Sequence, residues 1–233
     1  MKYVACLLLC WLAVVATASA RMGETREQCN ERYGQAVTNL DGWADLVGVG
    51  VHVKDGMVVS VFFVKTEDKM DERVGMIYYS RAWPFEYPDP RRKDRSTRVL
   101  TADITTNEQA ALLATVPGRW EHYSTNETGL AGKSENVLPL TDYETPTEQH
   151  CEAAENAVRV ACKALNCARG GSSSVIPVQA VAHKGPKLFA FRVGGGLALC
   201  SYNSAPVLKA WGHRWIAERT KVDRLRKDDL KGF

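Results

Sequence analysis

The stretch from Thr145 to Gly170 restricts this chain more than any other. It reads as one long helix carrying three cysteines. Thr145 suits the N-cap, Pro146 the first helical position and Glu148 the third, which together make a capping box with proline where its missing N–H costs nothing. Arg169 suits the last turn, and Gly170 can take the left-handed conformation that ends a helix. Between them Cys151, Ala154, Val158, Ala161 and Leu165 recur at steps of three and four, an apolar stripe of mostly small residues that lets a neighbouring element come close.

A signal-like start leaves five cysteines in the mature chain, Cys29, Cys151, Cys162, Cys167 and Cys200. Helical spacing limits how they can pair. Cys151 and Cys162 are about 16 Å apart along a helix axis, and Cys162 and Cys167 are separated by a rise of about 7.5 Å and a turn of about 140°. A disulfide needs Cα atoms within about 7 Å. None of the three can bond another within an intact helix, so only Cys29 and Cys200 remain as partners, with Cys29, Cys162, Cys167 and Cys200 as the disulfide candidates. At most two bridges form, and the odd thiol is buried and inert, intermolecular or reactive.

The compartment is read from the first twenty residues. Lys2 is the positive end, Val4 to Val15 the apolar run, and Ala18-Ser19-Ala20 an Ala-x-Ala cleavage site, so cleavage is expected after Ala20. Leu9 before Cys10 is too large for a lipoprotein box. A secreted or periplasmic location follows, and it favours disulfides. No later run is long and apolar enough to predict a transmembrane segment. The formal charge of +3 falls to +2 with the loss of Lys2, which gives no reason to expect nucleic acid or an anionic membrane as partner. The hydrophobic content of 45% excludes a disordered chain.

Along the mature chain, Thr25 caps a short helix that ends at Gly34. Val47 to Lys65 is a hairpin about Asp55-Gly56, and Val74 to Ser80 is a third strand. The charged run Thr66 to Arg73 reads as a solvated connection. His52, on the polar side of its strand, is expected at the surface. The segment from Trp83 to Arg95, with three prolines and four basic residues, is a loop. Such a loop could bind a polyanion or a carbohydrate, but it is expected to be pinned by its aromatics. Thr105 to Glu108 is a second capping box, opening a helix through Ala114. Asn126 begins a glycosylation sequon, and Gly118 to Tyr143 reads as a linker. Val175–Ala182, Lys187–Val193 and Leu197–Tyr202 read as strands, with a glycine turn at Gly194-Gly195-Gly196. Those glycines lack the Lys-Ser/Thr of a phosphate loop. Ala210 to Lys227 is a closing helix. Its basic end is broken by Asp223, Asp228 and Asp229 and reads as a solvated face.

Two resemblances rest on particular residues. The opening Gly-Glu-Thr…Gln-Cys…Arg-Tyr-Gly, residues 23–34, resembles the openings of small, uncharacterised secreted bacterial proteins. In the second half, Cys151 on a helix, His183 at a strand end and Asn203 at a strand end resemble the order found in the transglutaminase-like and papain-like cysteine hydrolases. That resemblance implies that His183 deprotonates the Cys151 thiol and Asn203 orients the imidazole. His213, near Trp211 and Trp215, is an alternative base. Cys151, however, lies beyond the first helical turn, where the dipole would favour its thiolate. No Cys-x-x-Cys pair exists to make a zinc site, and no cofactor motif is present.

The expected protein is therefore of the α+β class. Antiparallel sheets and a few packed helices form two subdomains, residues 21–140 and 141–233. The leading functional expectation is a secreted or periplasmic protein that binds or scaffolds a protein or other ligand of the cell envelope without catalysis. The alternative is a thiol hydrolase or transferase using Cys151, His183 and Asn203.

Overall fold

A computed structural model describes residues 22–43, 45–66, 69–85, 88–94, 102–116, 148–166, 175–181 and 188–230. Seven strands form one antiparallel sheet: β1 (Thr38–Trp43), β2 (Leu46–Lys54), β3 (Met57–Thr66), β4 (Lys69–Ser80), β5 (Val175–Val181), β6 (Leu188–Val193) and β7 (Gly196–Ser201). Their order across the sheet is β1-β2-β3-β4-β7-β6-β5. The helices are α1 (Arg26–Tyr33), α2 (Thr106–Ala114), α3 (Glu148–Asn166) and α4 (Ala205–Leu230). The α+β expectation holds.

Local chemistry accounts for most of these elements. Asp55 and Gly56 turn the β2–β3 hairpin with φ of 49° and 76°, the left-handed pair that matches strand twist. Thr25 accepts from the Gln28 N–H at 3.3 Å while Gln28 bonds back, and Thr105 does the same with Glu108. Tyr202–Ser204 forms a single 3-10 turn between β7 and α4.

The central strands are buried on both faces, which is why β3 reads as a nearly unbroken apolar run rather than an alternation. Val58, Phe62 and Val64 point to one core, with Met76, Tyr78, Ala198 and Cys200, beneath α3 and α4. Val59, Val61 and Phe63 point to the other, with Ile77, Tyr79 and Leu199, on the side of Cys29 and Tyr33 of α1 and Leu113 of α2. The predicted stripe of α3 is buried at every position: Cys151, Ala154, Val158, Ala161 and Leu165. α4 comes close to α3 at Val160, which lies off that stripe. A Cβ on Gly212 would lie 2.6 Å from Val160 Cγ1 and 3.0 Å from the Val160 backbone.

Three features differ from the expectation. β1 has no alternating apolar pattern, yet it pairs along β2 from Thr38↔Val51 to Trp43↔Leu46. β4 begins inside the charged run, because Lys65↔Glu72 and Val64↔Arg73 continue the β3 pairing. Backbone hydrogen bonds need no apolar side chain, and Glu72 is held besides by Arg26 at 3.0 Å. Finally there is one sheet. β4 and β7 are hydrogen-bonded neighbours, from Met76↔Cys200 to Tyr79↔Leu197, and both cores draw residues from before and after position 140. The division near residue 140, the linker from Gly118, the caps Thr145 and Gly170, Asn126 and the signal segment to Ala20 lie outside the described residues.

Candidate functional site at the sheet edge

The thiols are candidate nucleophiles. Cys151 lies on α3 with 4% of its surface exposed. Asn203 is exposed in the 3-10 turn, and His213 is exposed on α4. His183 and Cys167 lie outside the described residues. The ring of His150 sits 4.4 Å from that of Tyr202, centroid to centroid.

No disulfide forms among the described residues, and Cys29, Cys162 and Cys200 are free thiols. This corrects the expected bridging of Cys29, Cys162 and Cys200, and the sheet supplies a physical reason for Cys29. Its side chain packs on one face, while Cys162 and Cys200 pack on the other. Burial pushes the Cys200 thiol up to about 12. Burial, joined by a smaller charge effect from Glu24, does the same for Cys29. Burial raises Cys162 as well, with a smaller contribution from nearby Cys200. Such thiols stay protonated at neutral pH, and the thiolate is the reactive form. Among the described residues, no group of three or more His, Cys, Asp or Glu side chains is placed to hold a metal ion.

His52 is a correction of a different kind. It was expected at the surface and is 1% exposed. Gly50, two residues before it on the same side of β2, leaves the ring its space: a Cβ there would lie 3.2 Å from His52 Nε2. The His52 Nδ1 lies 2.8 Å from the Gly34 carbonyl oxygen. A carbonyl only accepts, so Nδ1 carries the proton and Nε2 keeps a bare lone pair. That Nε2 has no hydrogen-bond partner among the described residues. Burial lowers the pKa of the ring, against the Gly34 hydrogen bond that favours its charged form.

The aromatic and basic loop is a structural knot. Trp83 is 3% exposed and meets Phe85 edge-on, with centroids 5.0 Å apart. The Arg91 Nη1 donates to the Gly56 and Arg81 carbonyls, both at 2.8 Å, and its Nε donates to Asp89 at 2.9 Å. Burial alone would raise the Asp89 carboxyl, but the hydrogen bonds from Arg91 hold it below its usual range. Arg91 is thus spent on holding the loop to the β2–β3 turn and to Arg81.

What remains open is the edge of the sheet. β1 is an outer strand. α4 crosses the sheet and passes beside it, and between them lies a cavity of about 180 Å³ lined by Asp41, Gly42, Trp211, Arg214, Trp215 and Glu218. Trp211 is buried and packs edge-on against Phe62 at 5.5 Å. Its indole N–H donates to the Asp41 carbonyl at 3.4 Å, tying the helix to the edge strand. Trp215, one turn later, stacks on Trp211 with centroids 5.7 Å apart and planes 24° from parallel, and it is only half-buried. Arg214 Nε donates to Glu218 at 2.7 Å. The arrangement offers an aromatic surface and charged groups of both signs, with no nucleophile–base pair. The sequence contained one sign of it, Trp211 and Trp215 four residues apart on a helix. β1, the other wall, carries no pattern that announces it.

In comparisons with known proteins, no family model matches the chain, and no curated protein and no solved structure matches it.

Proposed function

We infer that the chain is a secreted or periplasmic binding protein of the cell envelope, without catalysis, and that its ligand seats in the cavity between β1 and α4. The observation that carries this reading is the half-buried Trp215, stacked on a rigidly anchored Trp211 and ringed by charged side chains at an open sheet edge. Concave sites that join aromatic surface to a few fixed polar groups are where small ligands bind. Two further observations support the reading. Cys29, Cys162 and Cys200 are buried and protonated, and Cys151, the thiol of the competing hydrolase reading, is 4% exposed. Among the described residues, no helix is long and apolar enough to cross a membrane.

Two measurements test it together. Iodoacetamide should leave Cys151 of the native protein unlabelled over a time in which the unfolded chain is fully alkylated. Calorimetric titration with soluble envelope extracts should give saturable heat with the native protein and none with Trp215→Ala. Rapid native labelling of Cys151, together with ester or amide turnover lost in Cys151→Ala, would instead establish the thiol hydrolase.

A further inference from the structure

The cavity at the sheet edge has a charge pattern that selects among ligands. Two carboxylates and one guanidinium line it: Asp41, Glu218 and Arg214. Glu218 is engaged by Arg214 at 2.7 Å. The Asp41 carboxylate has no hydrogen-bond or ion-pair partner among the described residues; its backbone oxygen accepts from the Trp211 indole. Beside it stands the indole of Trp215, whose π face carries negative potential. An unmatched carboxylate next to an aromatic face is the combination that attracts a cation. The whole chain carries a formal charge of +3, so this preference is local and not a general attraction for cations.

Size narrows the choice. At about 180 Å³ the space is below the roughly 300–1,000 Å³ of a drug-sized site. It suits one head group and a short stem. A neutral sugar ring could also stack on Trp215, but it would leave the Asp41 charge uncompensated. An anion would face two carboxylates.

We propose that this pocket binds an organic cation, an ammonium or guanidinium group, held over Trp215 and countered by Asp41. The proposal rests on the reading of the cavity as the ligand site. Its sources are a free quaternary or primary amine and the side chain of a lysine or arginine in a peptide, which present the same chemistry.

The test is calorimetric titration of the full chain with choline, tetramethylammonium, N-acetyl-lysine methylamide and N-acetyl-arginine methylamide. The uncharged tert-butyl analogue of choline and methyl glycosides are run alongside. The cations should bind saturably, and the uncharged analogue should bind roughly tenfold more weakly or not at all. Asp41→Asn, an exposed and conservative change, should weaken every cation by a similar factor. Trp215→Phe should keep part of the affinity, and Trp215→Ala should lose it. Tight choline binding with no response to the amino-acid amides identifies the free amine as the source, and the reverse identifies the peptide. Equal binding of the uncharged analogue, or an unchanged affinity in Asp41→Asn, overturns the proposal. Glycoside binding that disappears in Trp215→Ala overturns it while leaving the cavity as the ligand site. If no probe binds and Trp215→Ala leaves the envelope-extract titration unchanged, both readings fall.

Discussion

On one face of the sheet two long helices, α3 and α4, come close where Gly212 rests against Val160. On the other, α1 and α2, of eight and nine residues, are held by side chains that hydrogen-bond. The first face is sealed by packing. Ala154, Ala157, Val158 and Ala161 of α3 have no exposed surface, and Gly212 of α4 rests against Val160. The second face is pinned by polar contacts. The Tyr33 and Tyr79 hydroxyls are 3.0 Å apart in the core, Lys54 Nζ donates to the Arg32 carbonyl at 2.6 Å, and Glu24 pairs with Arg32. The contrast follows from length. A short helix buries too little apolar surface to anchor itself, so caps and polar contacts make up the difference. A long amphipathic helix needs only a complementary surface. It can also run on past the sheet, and that is how α4 comes to build a cavity against β1.

The largest expected effect tests the packed face. Phe62→Ala empties the site under Trp211 and should cost about 3–5 kcal/mol in urea unfolding. A cost below about 1 kcal/mol would mean that this face is not tightly packed. Gly212→Ala comes next. Alanine favours a helix over glycine by up to about 1 kcal/mol, but here its methyl meets Val160 backbone that cannot rotate away. Overpacking should win, with a net loss of about 1–2 kcal/mol that Val160→Ala only partly relieves. A stabilised Gly212→Ala would show that the two helices can separate freely.

Smaller effects probe the polar face. Tyr33→Phe leaves the Tyr79 hydroxyl unpaired in the core and should cost about 1–2 kcal/mol, whereas the double Phe variant should recover part of that. Additive losses would mean that the two hydroxyls are not coupled. The pH response of His52 is smaller again. The folded state holds the ring neutral, with its pKa lowered from 6.5. Below that value the unfolded chain binds the extra proton first, so acid favours unfolding. The denaturation midpoint should be flat above about pH 6.5 and fall below it, and His52→Asn should flatten the part of the fall above pH 5. An unchanged pH profile in that variant would sink the assignment.

Much of the packed face was legible. The stripe on α3, the Asp55-Gly56 turn, the glycine turn before β7, the Thr25 cap and the Thr105–Glu108 capping box are local patterns. Local patterns survive because backbone geometry and side-chain periodicity act over a few residues. β1 was not legible, since its pairing is imposed by β2 rather than by its own side chains. His52 was misread for a related reason. Alternation placed it on the face opposite Val51 and Val53 correctly, but alternation cannot say whether a helix covers that face. The ligand site was half legible. Trp211 and Trp215 stand one turn apart on a predicted helix, and nothing nearby in sequence points to Asp41, which lies 170 residues from Trp211.

The chain by itself determined the α+β class, the periods of its helices and strands, and the rule that the α3 cysteines cannot bridge one another. Each of these follows from spacing along a rigid local geometry. Tertiary structure decided the rest. It merged the strands before and after residue 140 into one sheet, set Cys29 on the opposite face from Cys162 and Cys200, covered His52, and brought the edge strand to the tryptophans. Those outcomes depend on contacts between residues far apart in the chain, whose free energy is collected only once the whole core closes.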